Sequence, residues 1–180
     1  RGARTRVPGI MPTPLWAPWR MPYIERAEKK GADGCFFCDH AKDEARLREN
    51  LVLVVQEHAI ALLNRFPFAP AHVLVAPRRH VPDIKDLSDE EYLALMTLLR
   101  DARVRLERAV RCPAVNIGFN LGHHAGAGVA DHCHGHLVPR WPGDTNFMPI
   151  LADVRVMPEA LDETWQKLRA AFADVAGVKA

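Results

Sequence analysis

Two short apolar runs, residues 51–55 and 59–63, stand on either side of the polar triplet Gln56-Glu57-His58. Runs of that length bounded by turn residues predict two strands joined by a tight turn. A third run at 72–76 follows a loop holding Pro67 and Pro70 and stops at Pro77, which predicts a third strand. From residue 88 the apolar positions recur three and four apart. Leu95, Leu98, Leu99, Ala102 and Leu106 fall on one stripe, so a helix is predicted from Ser88 to about Arg111. Ser88 and Glu91 have the spacing of a capping box, and the acidic residues Asp89 and Glu90 suit the positive end of the helix dipole. Arg100, Arg103, Arg105 and Arg108 lie off the stripe and are expected on its solvated face. Pro113 forces the exit. Residues 114–120 alternate like a half-buried strand, and 131–140 are expected to be extended. Leu161, Trp165, Leu168 and Phe172 predict a last helix over 158–173, with Pro158 in its first turn.

The segment 131–140 also carries chemistry. His132, His134 and His136 occupy alternate positions. In a strand they share one face, roughly 6.6 Å apart. On a helix they would be spread around the axis and form no common site. Gly135 and Pro139 argue against that helix in any case. Three imidazoles on one face make a metal comb or a phosphate-handling site; the plain alternative is an exposed strand that happens to carry histidine. The loop Gly122-His123-His124-Ala125-Gly126-Ala127-Gly128 feeds this strand. Small residues let backbone approach a ligand closely and offer N–H groups to phosphate oxygens.

Cys35-Phe36-Phe37-Cys38 follows the glycines Gly31 and Gly34. A Cys-x-x-Cys turn can present two thiolates to zinc. It also fits a redox pair or two buried structural thiols. The redox reading wants a preceding strand, and none is evident; Ala41 to Glu49 are long enough for a short helix.

Composition narrows the classes. A chain of 180 residues with 48% hydrophobic content is large enough for one domain with a sizeable core. A net charge of +2 does not by itself suggest a nucleic-acid surface. Four cysteines are too few for a disulfide scaffold in a chain this long. No apolar run approaches the ~20 residues of a membrane span, and the first residues show no signal-peptide h-region. A cytoplasmic setting is expected. Residues 1–23 hold Pro8, Pro12, Pro14, Pro18 and Pro22, which exclude regular structure. Trp16, Trp19 and Tyr23 in this arm are expected to pack on the parent domain or a second subunit, the alternative being a loose tail. Arg1 is not an initiator, and Met11 is an alternative start; the sequence leaves open whether residues 1–10 are native.

His132-x-His134-x-His136-Leu137-Val138 resembles the signature of the histidine triad (HIT) superfamily of nucleotide hydrolases and transferases. The block from Asn64-Arg65-Phe66-Pro67 through His72-Val73-Leu74-Val75, Pro77 and His80 is similar to a second family motif. Cys35 and Cys38 resemble its metal-binding variant. Leu15 to Met21, Val115 to Asn120, the Gly loop, Pro139-Arg140-Trp141 and Asn146-Phe147 are similar to the branch containing diadenosine tetraphosphate (Ap4A) phosphorylases.

The resemblance implies an α+β, HIT-like fold: about five antiparallel strands, one long helix and a C-terminal helix. It implies a HIT domain over 24–150, between the arm 1–23 and a C-terminal helical extension 151–180. It makes His134 the nucleophile of a nucleotidyl-histidine intermediate and gives His136 the phosphate or leaving oxygen. Substrate contacts would come from Asn64 at the ribose, Asn120 at the α-phosphate, and the backbone of Gly126 and Gly128. Leu62, Phe66 and Phe37 are candidates for the adenine pocket or for ordinary core packing. Cys35, Cys38, His80 and His132 would hold a structural Zn²⁺ in a closed tetrahedral set. The implied activity is cleavage of dinucleoside polyphosphates with inorganic phosphate as acceptor. Hydrolysis of dinucleoside polyphosphates or nucleoside phosphoramidates is the alternative. A non-catalytic zinc module binding nucleic acid is a second one, opposed by the low net charge. A homodimer or higher homo-oligomer is also implied. The chain departs from the pattern at Ala127-Gly128, where relatives carry Ser or Gln, and at Gly135, where a bulkier apolar residue is usual. Arg140, His123 and His124 are candidates for a second anion pocket.

Overall fold

The computed structural model describes residues 34–144, 157 and 159–175. The Pro- and Trp-rich arm, the turn at Thr145 to Phe147 and Pro158 lie outside the described residues.

Five strands form one sheet in the order β1-β2-β3-β5-β4: β1 (Val52–Val55), β2 (Ala59–Leu63), β3 (Val73–Pro77), β4 (Ala114–Phe119) and β5 (Gly135–Arg140). Every neighbouring pair is antiparallel. The hairpin expected from the first two apolar runs is present and closed by the Gln56 N–H donating to the Ala59 carbonyl at 2.8 Å. Among the described residues, three α-helices complete the α+β fold: α1 (Phe36–Lys42), α2 (Asp89–Val110) and α3 (Leu161–Ala171).

Helix α2 starts where its capping box dictates. The Ser88 side chain accepts from the Glu91 N–H, and the Glu91 carboxylate accepts from the Ser88 N–H. Its stripe Leu95, Leu98, Leu99, Ala102 and Leu106 is buried against one face of the sheet. Period-two alternation in β2 and β3 then divides the side chains. Ala59, Ala61, Leu63, Val73 and Val75 face α2; Ile60, Leu62, Leu74 and Ala76 face away, where Phe37 and Ala41 of α1 cover them. A register shift between Val52 and Val54 interrupts this phase in β1, so Leu53 and Val54 both join the α2 side.

Helix α3 is part of that core, since Leu168 and Phe172 are buried in it. It also covers the free edge of β1. The Trp165 indole donates to the Val52 carbonyl at 2.9 Å, and Arg169 donates to the Leu53 carbonyl at 3.0 Å. Unpaired edge carbonyls are thereby satisfied. One expectation fails here: Arg105 is not on a solvated face. It ties α2 to α3 through the Ala171 carbonyl at 2.5 Å and through Asp174. No helix among the described residues is long and apolar enough to cross a membrane.

Candidate active site and metal centre

The histidines approach β5 on the face away from α2. The ladder begins only at Gly135, so the strand is shorter than the expected 131–140. The Cys133 N–H donates instead to the Val81 carbonyl at 2.7 Å, which draws this segment off the sheet toward the chain after β3. The rings still stand side by side. Phe37 packs 5.0 Å from both His132 and His134, and the His134 and His136 centroids are 4.9 Å apart.

Hydrogen bonds to carbonyls assign two of the ring protons. The Pro77 carbonyl lies 2.8 Å from His132 Nε2, so that nitrogen donates and Nδ1 keeps its lone pair. The His132 carbonyl lies 2.9 Å from His134 Nδ1, so there Nδ1 donates and Nε2 keeps the lone pair. No described residue hydrogen-bonds to His134 Nε2. Burial lowers the His134 pKa, and burial with the neighbouring His134 lowers that of His136 to about 4. Burial thus favours the neutral form of both imidazoles. His136 Nε2 is buried and has no partner among the described residues. Leaving such a group unsatisfied costs about 1–3 kcal/mol, which a ligand oxygen would relieve. Across from His136 in the ladder is Gly118, where a Cβ would meet nothing within 4 Å. Among the described residues, nothing covers the sheet at Gly118.

Cys35, Cys38, His80 and His132 converge, their ligand atoms all within 4.8 Å of one another. Cys35 Sγ is 3.2 Å from His132 Nδ1, and Cys38 Sγ is 3.5 Å from His80 Nδ1 and 3.7 Å from His132 Nδ1. A tetrahedral zinc site has S···N edges of about 3.5 Å from its bond lengths. The donor set and the Pro77-fixed tautomer of His132 both fit such an ion. Burial and the adjacent Cys35 thiol push Cys38 up to about 11, a cost that a bound dication would reverse. The cysteines are not in a free turn. Cys35 is the N-cap of α1 and Cys38 lies within that helix, which begins earlier than the Ala41 to Glu49 expected from sequence.

A further histidine belongs to this face: His72, which the sequence places in a strand and a family motif without a site role. His72 is fully buried just before β3, with Nε2 3.0 Å from His136 Nδ1. Its Nδ1 is 3.1 Å from Asn64 Nδ2. The available signal was a histidine opening an otherwise apolar strand, in phase with Leu74 and Ala76.

The other expected residues are distributed unevenly. Asn64 is joined to His136 through His72. Asn120 is half-buried just past β4. Gly126 takes a left-handed turn, φ +81°, and its N–H donates to the His123 carbonyl at 3.1 Å. Gly128, His123 and His124 are exposed. Arg140 makes a two-pronged pair with Asp144 at 2.6 and 2.9 Å and reaches Asn116 Oδ1 at 3.0 Å. Phe37 and Leu62 are core residues, whereas Phe66 is exposed.

This arrangement has relatives. The HIT domain family model matches residues 47–143. The AP-4-A phosphorylase of Mycobacterium tuberculosis is 35% identical over 164 residues, which is 88% of this chain and 84% of that protein. An asymmetrical bis(5'-nucleosyl)-tetraphosphatase of Schizosaccharomyces pombe is 40% identical over 84 residues, 47% of this chain and 46% of that one. Among solved structures, a Zn-bound histidine triad family protein from Mycobacterium smegmatis superposes with TM-score 0.63 at 25% identity, covering 83% of this chain and all of its own. With a family match over more than half its length, carried by the histidine strand and the sheet that supports it, this chain belongs to the HIT-domain family.

Proposed function

We propose that this chain is a nucleotidyl-transferring enzyme that cleaves dinucleoside polyphosphates such as diadenosine tetraphosphate, with inorganic phosphate as acceptor. The observation that carries the reading is His134, with Nδ1–H on the His132 carbonyl and an unshared pair on Nε2 beside His136. His134 Nε2 attacks the α-phosphorus. The bond from that phosphorus to the bridging oxygen breaks, and its electron pair leaves with the departing nucleotide. His136 Nε2–H stabilises that oxygen. A phosphate oxygen then attacks the nucleotidyl-histidine, frees His134 and yields ADP.

Phosphate is favoured because the relative matched over most of the chain is named a phosphorylase. Water is the second reading, favoured by the shorter match to a tetraphosphatase. Asn64 Oδ1 would hold the ribose, Asn120 the α-phosphate, and the Gly128 N–H the phosphoryl oxygens, with Gly126 shaping that loop. Cys35, Cys38, His80 and His132 would hold Zn²⁺, whose role is to fix the segment before His134. A homodimer is proposed through β4, an edge strand whose Ile117 is exposed. Four free cysteines accord with a cytoplasmic setting.

Incubation with diadenosine tetraphosphate, with and without phosphate, tests the reading. ADP plus ATP formed only with phosphate is the expected result; AMP plus ATP without it gives the hydrolase. Full turnover by His134→Ala refutes both. Zinc content by elemental analysis should fall in Cys35→Ser, and unchanged content removes the metal assignment.

A further inference from the structure

His136 meets the leaving oxygen in this reading, yet a neutral imidazole can offer that oxygen either an N–H or a lone pair. Two backbone amides decide which. A backbone N–H can only donate. The Phe66 N–H reaches Asn64 Oδ1 at 2.9 Å, which fixes the orientation of that carboxamide. Asn64 Nδ2 therefore donates to His72 Nδ1 across 3.1 Å. The Phe68 N–H donates to the same nitrogen at 3.2 Å. With two donors converging on Nδ1, the single proton of neutral His72 sits on Nε2. That N–H faces His136 Nδ1 at 3.0 Å, so Nδ1 of His136 accepts and its own proton sits on Nε2. His136 Nε2 is the buried atom that lacks a partner among the described residues. The Phe68 ring lies over the chain, 4.8 Å from His72 and 5.8 Å from His136, and shields it from water.

Resting on the nucleotidyl-transfer reading, we propose that His72 and Asn64 are positioning residues that hold His136 as the Nε2–H tautomer, so that it always presents a donor to the departing oxygen or nitrogen. The direction is set by the backbone of loop 64–68, not by solvent. Without His72, His136 Nδ1 loses its donor and competes for the proton. The lone pair of Nε2 then faces the leaving group.

Two measurements on the full chain test this. In ¹⁵N-histidine-labelled protein, long-range ¹H–¹⁵N spectra should show His72 and His136 protonated at Nε2, and His72→Phe should move the His136 proton partly or wholly to Nδ1. A wild-type His136 protonated at Nδ1, or a His136 pattern unchanged in His72→Phe, overturns the proposal. Kinetically, His72→Phe should lower kcat at least about 100-fold on adenosine 5'-phosphoramidate, whose amine must be protonated as it leaves. On the 4-nitrophenyl ester of AMP, which leaves as a stable anion, the loss should stay within about 3-fold, with KM little changed on both. His72→Gln, which can still donate to His136 Nδ1, should recover at least about tenfold of the loss. Equal losses on both substrates overturn the positioning role. A wild-type chain that turns over neither substrate overturns nucleotidyl transfer alone, and the spectra still decide the tautomer.

Discussion

Gly135 stands between His134 and His136, and its absence of a side chain is a packing requirement. Its φ is not positive, so backbone freedom does not demand glycine there. A Cβ would lie 2.9 Å from Leu99 Cδ1 and from Phe119 Cζ, and 3.2 Å from Phe119 Cε1. Carbon atoms prefer about 3.5–4.0 Å, so both neighbours must retreat by roughly 0.6 Å or more. Leu99 is 5% exposed and held within the α2 interface; Phe119 is half-buried beside the sheet edge and can yield. Overpacking of this kind costs about 1–3 kcal/mol, and alanine returns about 0.4–1 kcal/mol by restricting the unfolded chain. Gly135→Ala should therefore lose about 1 kcal/mol net, a fall in Tm of about 2–4 °C at this size. Pairing it with Phe119→Leu, which removes the clashing Cζ, should give a coupling of at least about 0.5 kcal/mol in a double-mutant cycle of denaturant unfolding. A Gly135→Ala chain as stable as wild type, or strictly additive losses, would refute the reasoning. The same geometry explains why glycine packs well here: Leu99 and Phe119 fill the volume that a side chain would take.

Three further outcomes follow from the fold and are read by thermal or chemical unfolding. Leu168→Ala should cost about 2–5 kcal/mol, because α3 completes the main core; a loss under about 0.5 kcal/mol, typical of surface positions, would mean that α3 is dispensable. Ala71→Gly should gain up to about 1 kcal/mol, since Ala71 sits at φ +56° and a left-handed residue costs about 1–2 kcal/mol before glycine's entropy is counted; destabilisation would show that Ala71 is unstrained. The Arg79 guanidinium and the Ser88 N–H hold Glu91 down at about 2, below its usual 4.5. A folded pKa below the unfolded one stabilises above pH 4.5 and loses that contribution as pH falls toward 2. Arg79→Ala should thus lower Tm at pH 6 and do so much less at pH 2.5, and an equal effect at both would dismiss the pair.

Short-range signals in the sequence located much of this molecule. The α2 boundaries needed only Ser88, Glu91 and one apolar stripe. The hairpin needed two runs and a polar triplet. Contacts that depend on where distant segments meet were harder. Arg105 looks solvent-facing on a helical wheel because the wheel does not contain Ala171 or Asp174. The start of β5 moved because Val81, far along the chain, takes the Cys133 N–H. Cys35 looks like part of a turn because its N-cap position depends on α1, a helix of only seven residues with little apolar periodicity of its own. The convergence of Cys35, Cys38, His80 and His132 was accessible only through family resemblance, since no local spacing links Cys35 to His132.

His72 shows why register matters as much as residue identity. β3 and β5 pair with Leu74 opposite His136 and Val73 opposite Leu137, so extending the ladder one step places His72 opposite Val138. His72 is then diagonal to His136 on the same face. Diagonal neighbours lie about 7–8 Å apart, within reach of two long side chains, and here the rings meet at 3.0 Å. A slip of one residue would turn His72 toward α2 and bring Val73 onto the site face. The apolar alternation of β3, with Val73 and Val75 buried on the α2 side, forbids that slip. The same valines that build the core therefore bring His72 to the face of His136, where the backbone of loop 64–68 sets the direction of their hydrogen bond.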